Sequence, residues 1–517
     1  MWKNTSGRIT AMTAIDPAGT VAVVGAGTMG QGIAQVALTA GHPVRLYDAA
    51  PGRAEEAART IAARLGRLVD KGRLDPAVRD AALARLQPAA RLAELADSAL
   101  VIEAIVEQLP VKQKLFAELE SVVPDACLLA TNTSSLSVTA VAGGLKLPGR
   151  FVGLHFFNPA PLLPLVEVVR GFATDAAAAE RAAETVAAWG KTPVTCADAP
   201  GFIVNRVARP FYAEAFRLYE ERAADPATLD AVLRECGGFA MGPFELTDLI
   251  GQDVNEAVTR SVYESFFHDP KFRPSLAQRR LVEAGLLGRK SGRGWFDHSA
   301  DAQRPLPHTA EPQDPPAAVR VTGGLGPAAA LVEMIREAGI EVTVEGDGQA
   351  SGGHIRLPGG ACLALTDGSA ALEGPPGERG IFFDLSLDYR AATRIALAPS
   401  AEAAPEDVRE ATGLMQALGK AVSVIDDVPG MIVGRTVAMI VDFAADAAAR
   451  EVATPEDIDR AMRLGVNYPG GPLEWAGRLG AVWLWNFLYN LHDEGAGERY
   501  APSRALRRRA DREARVL

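Results

Sequence analysis

The sequence predicts an α/β domain followed by an all-α domain, with the pair then repeated in degraded form. Three observations carry this. An apolar run, Val21-Ala22-Val23-Val24, meets Gly25, Gly27 and Gly30 in the spacing G-x-G-x-x-G and opens into a helical segment from Gln31 to about Ala40. Short apolar strands then alternate with helical stretches to about residue 197, after which the chain reads as helix. From Gly419 onward, motifs of the first half recur at a fixed offset of 229 residues.

Length and charge bound the answer. At 517 residues the chain exceeds one hydrophobic core. It is 48% hydrophobic, 23% charged and carries a net charge of −11, which argues against a nucleic-acid or anionic-membrane role. No apolar run approaches the roughly 18 residues of a membrane span. The stretch Met1-Trp2-Lys3-Asn4-Thr5-Ser6 lacks the apolar core of a signal peptide. Residues 1–14 read as a flexible extension, with Met12 as an alternative start. Cys127, Cys196, Cys236 and Cys362 form no C-x-x-C pair. They read as buried thiols in a reducing cytoplasm, with no metal site.

The glycine loop sets the first domain, predicted over 15–197. Gly25 allows a tight turn, Gly27 lets a pyrophosphate approach the backbone, and Gly30 lets helix pack on strand. The helix start, with Thr28 and Met29, offers free N–H groups to phosphate. The strand Val44–Tyr47 ends in Asp48, 23 residues after Gly25, where a carboxylate accepts from the adenosine ribose. Ala49 and Ala50 follow, with no Arg for a 2′-phosphate, so this Rossmann-like domain favours NAD over NADP.

A helical insert, about 53–95, comes next: Ala54–Leu68 and Pro76–Leu86 flank Asp70-Lys71-Gly72-Arg73. It reads as a hairpin standing off the sheet, either a charged solvated face or a place for a long substrate tail. The strand Ser98–Ile102 leads to Glu107 and Lys112, at the strand end where open α/β sheets bind ligands. The strand Cys127–Thr131 leads to Asn132-Thr133-Ser134-Ser135. The strand Phe151–Leu154 leads into His155, Phe156, Phe157, Asn158 and Pro159, and the strand Leu165–Val169 carries Glu167 in its middle.

His155 is a candidate base. Glu167 is a lone carboxylate on an apolar strand, expensive to bury without a partner. A histidine one hairpin away supplies one, and the carboxylate would fix its tautomer and stabilise the charge it takes up. Ser134, at a neighbouring strand end, is placed to hold a substrate oxygen. The plainer reading is a satisfied core histidine and an edge-strand glutamate.

Pro200-Gly201 marks the junction to a helical domain over 198–297, with helices at 202–221, 226–236 and from about Asp253. Arg206 and Arg209 follow Asn205. They read as surface ion pairs, with cations facing an acid as the alternative.

These motifs together resemble the 3-hydroxyacyl-CoA dehydrogenase family over about Gly19 to Asp297. Gly25–Ala34, Glu103–Glu107, Thr131–Ser135, Gly153–Pro159, Pro200–Arg206 and Met241–Leu246 stand in family order. The resemblance implies that His155 takes the proton of the 3-hydroxyl while hydride leaves C3 for NAD. It implies that Glu167 orients His155, Ser134 bonds the reacting oxygen and Asn205 places the thioester carbonyl. Asp48, Glu107, Lys112, Asn132, Asn158 and Lys290 would contact NAD, alongside Gly25, Gly27, Thr28, Met29 and Gly30. Lys71, with Arg64 as companion, would hold CoA phosphates. The double length resembles forms that oxidise 3-hydroxyadipyl-CoA in phenylacetate catabolism, and also 3-hydroxybutyryl-CoA dehydrogenases of fatty-acid β-oxidation. The other readings are a relative acting on a free hydroxy acid or sugar acid, and a non-catalytic NAD-binding scaffold.

A Pro-rich linker is predicted over 298–318, a degenerate Rossmann-like domain over 319–425 and a second helical domain over 426–517. Gly190-Lys191 recurs as Gly419-Lys420, Pro200-Gly201 as Pro429-Gly430, Asp230 as Asp459 and Gly242-Pro243 as Gly471-Pro472. Gly324 matches Gly25 only at an offset of 299, so about 70 residues, enough for the hairpin, are missing. At the 229 offset His155 meets Asp384, Glu167 meets Ala396 and Asn205 meets Gly434. No second active site is expected. The family usually dimerises through its helical domain, so a tethered second copy would act as an intramolecular pseudo-partner, with a further homo-oligomer open. The tail, Arg504 to Arg515, reads as a solvated helix, and no hydratase-like segment is evident.

Overall fold

Eight short segments hydrogen-bond into the first sheet, and the inner ones are buried on both faces, as strands flanked by helices must be. In chain order they are β1 (Thr20–Val24), β2 (Val44–Tyr47), β3 (Leu86–Ala89), β4 (Ser98–Glu103), β5 (Leu128–Thr131), β6 (Phe151–Phe156), β7 (Leu165–Arg170) and β8 (Thr192–Ala197). The sheet order is β3-β2-β1-β4-β5-β6-β7-β8. Strands run parallel from β3 to β6; β7 turns back antiparallel to β6, and β8 runs parallel to β7. The computed structural model describes residues 14–345, 352–371 and 379–515. The extension expected over 1–14 lies, up to residue 13, outside the described residues.

The chain divides into two units. The first takes in everything up to Val204 together with Glu451–Val466, and the second holds Asn205–Arg450 and Asn467–Leu517.

In the first unit, helix Thr28–Thr39 buries Ile33, Ala34, Ala37 and Leu38. The insert differs from expectation in two ways. Its helices, Arg53–Asp70 and Pro76–Ala84, do not stand off the sheet: Ala54, Ala57, Ile61, Leu65 and Ala82 enter the main core. The helical reading also ran through a strand. Leu86–Ala89 pairs with β2 as the sheet edge, where Pro88 is tolerated because an edge strand has spare N–H positions. β8 was not anticipated either, since its Thr-Pro-Val-Thr-Cys-Ala alternates too weakly to stand out. Helix Pro455–Val466, from the second half of the sequence, lies against β7 and β8. The Ala197 N–H donates to the Val452 carbonyl at 2.7 Å.

The second unit holds a seven-stranded sheet: β9 (Ala318–Thr322), β10 (Glu341–Glu345), β11 (His354–Arg356), β12 (Cys362–Leu365), β13 (Gly380–Phe383), β14 (Arg394–Pro399) and β15 (Ala421–Val424), in the order β10-β9-β11-β12-β13-β14-β15. β11 runs antiparallel to both β9 and β12. A simple hairpin thus stands where the first sheet has a parallel strand reached by long crossovers, which is how the copy shortens. Residues 346–351 and 372–378 of the expected degenerate domain lie outside the described residues. Segment 298–318, expected as a linker, is pinned by His308 to Thr228, Ala310 to Val422 and Gln313 to Gln416.

The 229-residue repeat is written in the backbone. Positive φ angles recur at Gly190 and Gly419, Gly201 and Gly430, Phe202 and Met431, Arg222 and Glu451, Gly238 and Asn467, and Gly251 and Gly480. The hydrogen bond from Ala197 to Val452 has its repeat counterpart in the bond from Asp426 to Ala223 within the second unit. Helix Pro226–Glu235 packs on β14 there, as helix Pro455–Val466 packs on β7 in the first unit. Each sheet is therefore covered by a helix from the other repeat.

Inside the second unit, helix Arg209–Glu220 of the first repeat packs on helix Val433–Ala449 of the second. Glu214, fully buried, accepts from Arg435 Nε at 3.0 Å, Arg499 Nη2 at 2.6 Å and the Tyr500 hydroxyl at 2.7 Å. Arg206 pairs with Asp446 at 2.8 Å and Lys271 with Asp442 at 2.6 Å. The tail helix Arg504–Glu513 is not solvated all round: Ala505, Leu506 and Ala510 are buried, against helices Ala481–Leu491 and Val433–Ala449. Its arginines masked a narrow apolar stripe. Among the described residues no helix is long and apolar enough to cross a membrane.

Candidate active site

The glycine loop fits a dinucleotide. Gly25 has φ +106, and a Cβ there would stand 2.4 Å from the Ala104 carbonyl oxygen. A Cβ on Gly30 would stand 1.8 Å from the Gly25 oxygen, so the helix start closes directly on the turn. Gly27 faces open space, with nothing within 4 Å of its would-be Cβ. It caps helix Thr28–Thr39 without a side-chain bond, leaving the N–H groups of the first turn to a ligand. Asp48, at the end of β2, accepts from the Ala26 N–H at 2.8 Å and the Ala50 N–H at 2.9 Å, which fixes the carboxylate beside the loop. These residues fit NAD.

Beside the loop, the ends of β4 and β5 carry a buried charge network. Glu103, fully buried, accepts from Lys112 Nζ at 2.5 Å, the Ile105 N–H at 2.7 Å and Thr131 Oγ1 at 2.7 Å. Lys112 is 1% exposed and also reaches Glu107 at 3.1 Å, so it is locked between two carboxylates and not presented to solvent. Glu107 Oε1 accepts from Thr133 Oγ1 at 2.5 Å, the Ser134 N–H at 3.0 Å and Ser135 at both N–H and hydroxyl. Burial pushes Glu107 up, but the charge of Lys112 and the bonds from Thr133 and Ser135 outweigh it and hold the carboxyl below its ordinary value. Glu103 was the missed residue. Its signal was an acid closing an otherwise apolar strand. Asn132 accepts through Oδ1 from the Phe156 N–H at 2.9 Å, tying the β5 end to β6 next to His155.

The antiparallel turn between β6 and β7 sets His155 directly opposite Glu167. Nδ1 of His155 bonds Oε2 of Glu167 at 2.6 Å. The other carboxylate oxygen accepts from the Ile203 N–H at 3.0 Å and the Val204 N–H at 2.9 Å. Glu167 is fully buried, and His155 is 5% exposed between the rings of Phe157 and Phe202. With Nδ1 engaged, Nε2 is left as the exchangeable ring nitrogen. The plainer reading of a core histidine does not account for a carboxylate held by two backbone amides solely to face it.

A cavity of about 670 Å³ in the same unit is lined by Thr28 of the glycine loop, Asn158, and both Arg64 and Lys71 of the insert. Arg67 and Arg73 line it too. Sequence reading missed them, though Arg64, Arg67 and Lys71 share one helical face by spacing. Asn205 and Lys290 belong to the second unit, where Lys290 pairs with Asp253 at 2.5 Å. Asn205 stands next in the chain after Val204. Among the described residues no cluster of metal ligands occurs.

Among the described residues the second repeat has no such dyad. At the position matching His155, Asp384 is fully buried and reaches the Ile432, Val433 and Gly434 amides directly, at 2.8–3.1 Å. Those amides include the repeats of Ile203 and Val204, so one aspartate does the bracing of Glu167 with no histidine to present. Burial pushes it up to about 6 against the amide bonds.

Comparison with known proteins agrees with this reading. The NAD-binding-domain model of 3-hydroxyacyl-CoA dehydrogenases matches residues 20–199, and the C-terminal-domain model matches 201–298 and again 430–514. A reduced Rossmann-fold domain of 3-hydroxybutyryl-CoA dehydrogenase matches 363–429. The chain belongs to the 3-hydroxyacyl-CoA dehydrogenase family of NAD-dependent oxidoreductases, whose substrates are acyl-CoA thioesters. It is 44% identical to the 3-hydroxyadipyl-CoA dehydrogenase of Escherichia coli K12, over 95% of this chain and 97% of that one. A crystal structure of an Escherichia coli K12 3-hydroxybutyryl-CoA dehydrogenase superposes with a TM-score of 0.88 at 43% identity, covering 97% of this chain and 100% of the other. A Mycobacterium tuberculosis 3-hydroxybutyryl-CoA dehydrogenase is 42% identical, but its near-full length (98%) covers only 54% of this chain.

Proposed function

We propose that the chain oxidises the CoA thioester of a short L-3-hydroxy acid, 3-hydroxyadipyl-CoA or 3-hydroxybutyryl-CoA, as a step of aromatic-acid or fatty-acid breakdown in the cytoplasm. The observation that carries the reading is the His155–Glu167 pair, braced by two amides, in the same unit as a glycine loop fit for NAD and a cation-lined cavity.

In this reading Nε2 of His155 takes the proton from the 3-hydroxyl as the C–O bond becomes a carbonyl. NAD, when bound, supplies the acceptor for the hydride that leaves C3. Glu167 fixes the ring with its proton on Nδ1, so that Nε2 carries the lone pair, and faces the positive charge that follows. Ser134 bonds the reacting oxygen and Asn205 the thioester carbonyl. Gly25, Gly27, Thr28, Met29, Gly30 and Asp48 hold NAD, with Asn132, Asn158, Lys290 and Glu107 around it. Lys112 acts through Glu107, keeping it charged. Arg64 and Lys71, joined by Arg67 and Arg73, hold the CoA phosphates.

The second repeat acts as a built-in partner for the first. Support comes from the reciprocal bonds at the 229 offset and from the buried ion pairs between repeats in the second unit. The test of the activity is an initial-rate NADH assay on 3-hydroxyadipyl-CoA, 3-hydroxybutyryl-CoA, a longer 3-hydroxyacyl-CoA and free 3-hydroxybutyrate. Turnover of the short thioesters is expected. Turnover of free acid alone would overturn the CoA assignment, and NAD binding without any turnover would make the chain a scaffold.

A further inference from the structure

The turn that carries Ser134 has no ladder of its own. Residues 132–137 lie between β5 and helix Val138–Ala142, in neither strand nor helix. Yet each backbone amide from Asn132 to Leu136 has an acceptor. The Asn132 N–H donates to the Glu103 carbonyl at 2.8 Å. The Thr133 N–H donates to Thr131 Oγ1 at 3.2 Å, and those of Ser134 and Ser135 donate to Glu107 Oε1 at 3.0 and 3.1 Å. The Leu136 N–H donates to Thr133 Oγ1 at 2.9 Å, and that hydroxyl itself donates to Glu107 at 2.5 Å. Side chains shape this turn in place of backbone pairing, and those side chains meet at Glu103.

The Glu103 carboxylate reaches the turn by two routes. Oε1 accepts from Lys112 Nζ at 2.5 Å, and Lys112 holds Glu107 Oε2 at 3.1 Å, which leaves Glu107 Oε1 to the turn. Oε2 accepts from Thr131 Oγ1 at 2.7 Å, and Thr131 Oγ1 is the acceptor for the Thr133 N–H. Glu103 and Lys112 are both buried. A buried ion pair of this kind adds little net stability over an apolar filling, so its place at the end of an apolar strand calls for another account.

We infer that Glu103 is a positioning residue for the oxidation: through Lys112 and Glu107, and through Thr131, it holds the turn so that the Ser134 hydroxyl meets the reacting oxygen. This rests on the reading above in which Ser134 bonds that oxygen. The Ser134 N–H is committed to Glu107, so the hydroxyl is the group this residue brings to substrate. Glu103→Gln keeps the shape and breaks both routes. The amide has one acceptor oxygen for Ile105 and Lys112, and its NH2 group, turned to Thr131, reverses that bond. Lys112 loses one of its two carboxylates, and its pull on Glu107 is no longer shared.

The test is a double-mutant cycle on NADH formation from 3-hydroxybutyryl-CoA by the full chain. Glu103→Gln should lower kcat about a hundredfold, as a misplacement of about 1 Å does, with KM for the thioester within about threefold of wild type. Ser134→Ala should lower kcat by about a hundredfold. The two losses should not multiply: the double variant should stay within about threefold of Ser134→Ala alone. Losses that multiply to about ten-thousandfold would mean that Glu103 acts elsewhere and overturn the inference, as would a wild-type kcat in Glu103→Gln. Hydrogen–deuterium exchange of the peptide spanning 131–137 reads the turn without turnover. Exchange there should be at least about tenfold faster in Glu103→Gln, and exchange at the wild-type rate would overturn the inference. If Glu103→Gln does not fold, Thr131→Val cuts the second route and takes its place in both measurements. Its loss in kcat should be about tenfold and should vanish in the Ser134→Ala background, and a loss that persists there overturns the inference. Absence of NADH from the wild type with every thioester would instead sink the catalytic reading, while the exchange comparison still judges whether Glu103 holds the turn.

Discussion

Glu214→Gln is the perturbation that reports most clearly on how the two repeats hold together. Glu214 sits at zero exposure on helix Arg209–Glu220 and is gripped by Arg435 and Arg499 from the second repeat. Burial pushes its carboxyl up. The charges of Arg499, Arg435 and Arg217 pull it down harder, to about 2 from an ordinary 4.5. A folded value below the unfolded one means the ionised carboxylate favours the fold. That contribution is fully present above about pH 4.5 and is lost as pH falls toward 2. The shift corresponds to about 3 kcal/mol at neutral pH. Glu214→Gln keeps the shape but leaves buried cations short of a partner, and such breaks cost about 3–5 kcal/mol. Arg435 retains Glu221 at 2.6 Å, which argues for the lower end. For a unit of about 300 residues this lowers the melting temperature by roughly 5–8 °C. Calorimetry at pH 7 and pH 3 reads it. The wild type should lose stability between those values, and the variant should lose less. A variant that melts within 1 °C of wild type at pH 7 would refute the reasoning.

Three further outcomes are expected. Glu167→Gln keeps acceptors for the Ile203 and Val204 amides but donates to Nδ1 of His155, moving the ring proton onto Nε2. kcat should fall about 10³–10⁴-fold while NAD affinity holds, and a loss under tenfold would contradict the tautomer argument. The triple variant Arg64→Gln, Arg67→Gln, Lys71→Gln should raise KM for CoA thioesters about tenfold or more and flatten the dependence of KM on salt; an unchanged KM would remove CoA from that cavity. A Cβ on Gly465 would stand 2.8 Å from Leu165 Cδ2 and 3.1 Å from Val204 Cγ2. Gly465→Leu should therefore lift the second-repeat helix from β7 and cut kcat/KM about tenfold, and normal kinetics with normal melting would show that helix to be irrelevant to the site.

Much of this was legible in the sequence because local chemistry dictates it. The glycine loop, Asp48, and the pairing of His155 with Glu167 follow from residue type, alternation and a single hairpin. What escaped depends on distance in the chain. Lys112 looked available because its second partner, Glu103, closes an apolar strand and drew no notice. β3 hid inside a helical-looking insert because an edge strand tolerates Pro88. Arg206 and Arg209 looked like surface charges but are buried, because nothing nearby in the sequence shows the second repeat that buries Arg206, through Asp446, or the helix that brings Thr259 to Arg209. The exchange of covering helices between repeats was likewise invisible: the 229 offset revealed duplication but not which copy covers which sheet.

The central claim is that one dyad, in the first repeat, performs the oxidation. The direct measurement is NADH formation from a short 3-hydroxyacyl-CoA by His155→Gln, alongside NAD binding to the same preparation. The account predicts at least a thousandfold loss of kcat with NAD affinity unchanged. Turnover within tenfold of wild type would contradict it and move the base elsewhere in the chain.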